Sequence, residues 1–132
     1  MKRILEVCLV ALVTAASAAE GACFAGIWEG RMQGVKAVTL EIQASAGNFA
    51  GTATFYVIKD EGEGKHVGGA TRVAMEHVQT RDAALEFDVT RPDGAAIHLR
   101  MTLDGCSSAQ LTREPSGDLP ELAIGLERQA QL

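Results

Sequence analysis

The chain has 132 residues, a net charge of −5 and a hydrophobic fraction of 47%, which is room for one domain with a real core. Its 17 acidic and 12 basic residues are scattered. That excludes a nucleic-acid-binding surface, which needs a cationic stripe, and argues against an anionic membrane surface as partner.

The first element is a leader. Lys2 and Arg3 open it, Ile4 to Val13 is apolar except for Glu6, and Thr14 to Ala19 turns small. Ser17 and Ala19 satisfy the small-residue rule at −3 and −1, so residues 1–19 read as a signal peptide, with Ala16/Ala18 as a second frame. Its apolar core is too short for a permanent membrane span. The competing reading is a buried N-terminal helix, which Glu6 favours. Cys23 lies just past the apolar run, as in a lipoprotein, but Glu20 stands at −3 where lipidation prefers a large aliphatic residue. The sequence therefore predicts a secreted or periplasmic protein whose domain spans residues 20–132. Loss of a leader of net +1 takes the charge from −5 to −6.

Cys8 leaves with that leader, and Cys23 and Cys106 remain as an even pair in an oxidising compartment. A disulfide between them is expected, worth ~4–5 kcal/mol through loop closure. Two buried free thiols are the alternative.

Beyond residue 26 the chain alternates with period two, the mark of strands with one wet and one dry face. Val38, Leu40 and Ile42 alternate with Thr39, Glu41 and Gln43; Leu85, Phe87 and Val89 alternate with Glu86, Asp88 and Thr90. The same holds for Ile97 to Asp104 and for Glu121 to Glu127. Turn signals at Gly34-Val35, Ser45 to Asn48, Pro92-Asp93-Gly94 and Asp104-Gly105 divide the run. Eight strands result, near 26–33, 36–43, 48–58, 67–78, 83–91, 95–104, 107–114 and 120–128. The charged, glycine-rich segment Lys59 to His66 is expected to be a mobile exposed loop. Consecutive antiparallel strands predict an all-β, eight-stranded up-and-down barrel; a two-sheet sandwich is the alternative.

The opening motif carries a resemblance. Gly26-Ile27-Trp28 at the head of the first strand, with seven strands to follow, resembles the calycin superfamily of lipocalins, fatty-acid-binding proteins, avidins and small bacterial metalloprotease inhibitors. Membership implies that Trp28 plugs one end of the barrel and that a basic residue of the last strand covers its ring. Arg128, in phase with Leu122, Ile124 and Leu126, is the candidate. Gly47-Asn48-Phe49-Ala50-Gly51-Thr52-Ala53 is similar to an avidin hairpin, and Cys23 sits where avidins have a disulfide cysteine; the likeness spans residues 23 to 55. Avidins place a ligand-reading Asn and Tyr where this chain has Gly30 and Ala53, so biotin binding is not implied. The lipocalin T-D-Y loop is missing.

Catalytic constellations are not found. His66, His77 and His98 lack zinc-ligand spacing. Asp60, Glu61 and Glu63 lack that of a calcium loop. Gly62, Gly64 and Lys65 do not make a phosphate loop, and Ser107 and Ser108 have no Gly-x-Ser-x-Gly around them. The carboxylates fall mostly on outward strand faces. The sequence thus predicts a non-enzyme without cofactor or metal. What remains is the interior, where Met32, Leu40, Ala53, Phe55, Phe87, Leu99 and Met101 are the candidate ligand-binding residues. Small residues such as Gly30, Gly51 and Ala53 leave two readings open, a cavity or relief of crowding at bends. The expected function is binding of a small apolar molecule. The alternatives are a protein-binding module such as a protease inhibitor, which would use Glu20 to Phe24, and a structural envelope protein with a filled core.

Overall fold

The computed structural model describes residues 23–60, 62, 64–114 and 121–130. The leader expected over residues 1–19, with Cys8, lies outside them, as do Glu61 and Glu63. Among the described residues there are nine strands and no helix. They are β1 (Gly26–Met32), β2 (Val35–Ser45), β3 (Asn48–Asp60), β4 (Lys65–Ala74), β5 (Glu76–Arg81), β6 (Ala84–Thr90), β7 (Ala96–Asp104), β8 (Ser108–Arg113) and β9 (Leu122–Arg128).

Each hairpin is set by local chemistry. Gln33-Gly34 and Ala46-Gly47 take φ of 54° and 80°, and of 47° and 81°. Paired positive φ values at a two-residue connection match the twist of the flanking strands. At Asp93-Gly94, the Ala95 amide donates to Asp93 Oδ1 at 3.0 Å and the Gly94 amide to the Arg91 carbonyl at 2.9 Å. The loop expected from Lys59 to His66 is shorter: β3 runs to Asp60 and β4 begins at Lys65, with Lys59 paired to His66 and Asp60 to Lys65.

All nine strands form one antiparallel sheet in the order β4-β3-β2-β1-β9-β8-β7-β6-β5. The edge strands β4 and β5 are consecutive in sequence, joined through Met75. The fourth strand expected over 67–78 is therefore two strands, because its first half pairs with β3 and its second with β6. At that break the sheet's edges meet: the Met75 amide donates to the Gly51 carbonyl at 2.9 Å, and Asn48 Nδ2 to the Val78 carbonyl at 3.0 Å. Beyond it no ladder joins β4 to β6. The expected closed barrel is thus a half-barrel, pinned at one end and open at the other. Bulges at Gly30/Arg31, at Val57/Ile58 and between Glu76 and Gln79 help bend the strands.

The core fills the pinned end. Trp28, Leu40, Ala53, Leu85, Phe87 and Met101 are fully enclosed, and the Phe24 and Phe49 rings meet edge to face with centroids 5.6 Å apart. A Cβ on Gly30 would come within 2.8–2.9 Å of Ile124, Leu126 and Val38, so this glycine permits close packing and makes no void. Val57, in phase with the interior, is instead 53% exposed, because the bulge that follows it carries the β3–β4 ribbon past the core.

Candidate functional site

Two places combine specific side chains with specific geometry: a cavity at the open end and a polar cluster on the outer face of β5, β6 and β7. A plug closes the end away from the cavity.

At the plug, Trp28 is fully buried and its Nε1 donates to the Phe24 carbonyl at 3.1 Å. Arg128, its ladder partner on β9, lies over the ring with Cζ 5.4 Å from the centroid. The guanidinium also donates to the carbonyls of Ala25 and, at 3.4 Å, Cys23. A cation in phase with a dry strand face is thus held by an aromatic face and two backbone acceptors. A Cβ on Gly26 would press on the guanidinium at 3.0 Å, which leaves glycine as the residue that lets Arg128 pass. Cys23 and Cys106 form a disulfide beside this plug, with Cα atoms 5.3 Å apart at a sequence separation of 83.

At the open end is a cavity of about 330 Å³. Its walls come from β1 (Met32), β3 and β4 (Phe55, Ile58, Thr71, Val73), β6 (Val89, Thr90), β7 (Ile97, Leu99), β8 (Leu111) and β9 (Leu122, Ile124). Of the seven interior residues singled out from sequence, Met32, Phe55 and Leu99 line it. Leu40, Ala53, Phe87 and Met101 do not; they belong to the solid core. Val73 escaped sequence reasoning because it lies just before the unforeseen break at Met75. The charged residues on the lining are Arg91 and Arg113. Arg91 is exposed and pairs with Asp93 at 3.2 Å.

The outer cluster was not anticipated. Asp88 on β6 and His98 on β7 are ladder partners, with Nδ1 of His98 2.7 Å from Asp88 Oδ1. The other ring nitrogen of His98 is 3.0 Å from Glu86 Oε1. His77 on β5, at a φ of 53°, sets its Nδ1 3.0 Å from Asp88 Oδ2. Arg100 stands 3.9 Å from Glu86 Oε2, and Thr90 donates to Glu76 Oε1 at 2.7 Å. Glu86, expected on a wet face, is only 6% exposed because this cluster covers it. The hydrogen bond from His98 holds the Asp88 carboxyl below its ordinary range against a smaller opposing effect of burial, with His77 adding to the lowering. Asp88 chiefly, and then Glu86, raise the affinity of His98 for its proton, while burial works the other way. One signal was legible: Asp88 and His98 stand equally far from Asp93 at the centre of the Pro92-Asp93-Gly94 turn, which makes them partners in any tight hairpin there.

Among the described residues no group of three or more His, Cys, Asp or Glu side chains is placed to hold a metal ion. Nor is any helix there long and apolar enough to cross a membrane. No protein-family model matches the sequence, and neither curated proteins nor solved structures show significant similarity to it.

Proposed function

We propose that this is an exported, non-catalytic calycin-like protein that carries a small, mainly apolar molecule in the open end of its half-barrel. The observation that carries the reading is the cavity of about 330 Å³ walled by Met32, Phe55, Val73, Val89, Leu99 and Leu111. Its size falls at the lower end of ligand pockets, roughly 300–1,000 Å³, and its lining has their apolar character. Arg91 and Arg113 give the lining positive charge in an acidic chain, which suits a ligand whose polar or anionic end stays at the mouth. Export is supported by the leader and by the disulfide.

Native mass spectrometry of protein purified from its own host tests this, together with titration by an environment-sensitive apolar fluorophore. A co-purifying small mass, or saturable uptake abolished by Leu99→Trp, is expected. Apo mass alone together with non-saturable fluorescence would overturn the reading. One observation favours the alternative of a protein-binding module: Val57 and Val67, on neighbouring strands, are 53% and 41% exposed.

A further inference from the structure

The outer cluster on β5, β6 and β7 has a protonation requirement that the cavity does not explain. Ionised carboxylates only accept hydrogen bonds. His98 presents Nδ1 to Asp88 at 2.7 Å and Nε2 to Glu86 at 3.0 Å, so with both carboxylates ionised both contacts are hydrogen bonds only when the ring is an imidazolium. A neutral ring turns a lone pair toward one of the two carboxylates. Asp88 in turn accepts from His77, so the doubly protonated ring completes a hydrogen-bonded chain that crosses three adjacent strands.

The backbone gives that proton leverage. β5 is an edge strand with a single ladder, to β6, and that ladder is interrupted between Glu76 and Gln79 at the positive-φ residue His77. Glu86 sits between Gln79 of β5 and Arg100 of β7, its partners in the two ladders. β5 also carries Val78, whose carbonyl accepts from Asn48 where the sheet's edges meet. We infer that the His77–Asp88–His98–Glu86 chain is a proton-operated clasp: with both ring nitrogens of His98 protonated it fastens edge strand β5 to β6 and β7, and loss of one proton slackens that corner.

The surroundings of His98 determine the direction of the effect. On the β6 side it faces Glu86 and Asp88, both anionic, with His77 and Glu76 of β5 beyond them. Arg100 lies next along β7, and the exposed Glu114 lies on the β8 side, whereas Arg113, opposite Leu99, is on the cavity face. Carboxylates are thus the groups in hydrogen-bonding contact, which raises the proton affinity of His98 above that of a free histidine. When the proton leaves, Asp88 can still accept from Nδ1–H and from His77. Glu86 then loses its imidazolium donor, and the cation left to it is Arg100 at 3.9 Å. The nearly buried carboxylate moves toward water and disturbs the interrupted ladder beside it. The clasp is independent of whether the cavity holds a ligand.

Hydrogen exchange on the full chain, corrected for intrinsic rates, tests the inference at about pH 5.5 and about pH 8.5, on either side of a raised histidine. Amides of Val78 to Arg81 and Glu86 to Asp88 are expected to exchange at least about ten-fold faster at the higher pH, with β2 and β3 as internal reference. In His98→Asn that difference should vanish. Imidazole ¹⁵N shifts of the wild type give a reading that needs no variant: both His98 nitrogens should be protonated at the lower pH, and the titration midpoint should coincide with that of the exchange change. A neutral His98 at the lower pH, a midpoint unrelated to exchange, or a change spread evenly over the sheet would each overturn it.

Discussion

Arg128 and Trp28 are cross-strand partners at the centre of the sheet, with the guanidinium carbon 5.4 Å above the indole centroid. The same guanidinium serves the carbonyls of Ala25 and Cys23, so it ties the segment before β1 to the last strand. Arg128→Ala is expected to lower stability by ~2–3 kcal/mol through loss of the cation–π contact and of charged hydrogen bonds. Arg128→Lys, which keeps the charge and loses the planar fork, should cost about 1 kcal/mol. Trp28 is the sole tryptophan, so its fluorescence in urea titrations reads both the unfolding midpoint and the polarity of the plug.

A Cβ on Gly51 would collide with the Glu41 carbonyl oxygen of the neighbouring strand, whereas one on Gly69 would meet nothing within 4 Å. Gly51→Ala should therefore destabilise by roughly 2–4 kcal/mol, because backbone must move. Gly69→Ala should stay within about 0.5 kcal/mol of wild type. Equal unfolding midpoints for the two variants would contradict this.

The disulfide closes a loop with a sequence separation of 83 residues. Its replacement in a Cys23→Ser, Cys106→Ser double variant is expected to cost ~4–5 kcal/mol on the chain-entropy account. Intact mass after alkylation without reductant should reveal no free thiol at Cys23 or Cys106 in the wild type. Two alkylated cysteines would show that the bridge does not form in the cell.

Stability should fall on both sides of a plateau. His98 binds its proton more tightly when folded, so its contribution is full below about pH 6.5 and disappears as pH rises through the raised folded value. Asp88 is shifted down, so its contribution is present above about pH 3.9 and disappears as pH falls through the lowered folded value. The plateau is therefore expected between about pH 4 and 6.5. Melting temperatures measured across pH should show it, and His98→Gln should flatten the alkaline limb. A Tm that climbs from pH 6 to 8 in the wild type would contradict the assignment.

Much of the fold could be read in advance because alternation and turn chemistry are local. Val38, Leu40 and Ile42 enter the core as their spacing requires, and Gly34 and Gly47 turn the chain where φ must be positive. The break at Met75 could not be read. Ala74-Met75-Glu76 continues the strand pattern, and the change of partner from β3 to β6 is imposed by curvature of the whole sheet. The cavity shared that fate. Phase identifies which residues face inward, but whether Leu40 or Phe55 borders empty space depends on where the sheet's edges part. The cluster around His98 needed hairpin register for Asp88 and a bulge for His77, and local signals supplied the first alone.

The meeting of β1 with β9 has a kinetic consequence. The other ladders join strands that are neighbours in sequence, whereas Trp28 and Arg128 are a hundred residues apart. Two meanders, β1 to β4 and β5 to β9, can thus assemble from local hairpins, but the seam between them must wait for a long-range encounter. Substitutions at the seam such as Arg128→Ala, opposite Trp28, should then speed unfolding and leave refolding almost unchanged, and those in the β2–β3 hairpin should slow refolding. The seam at the middle of the sheet, on this account, is the last ladder to form.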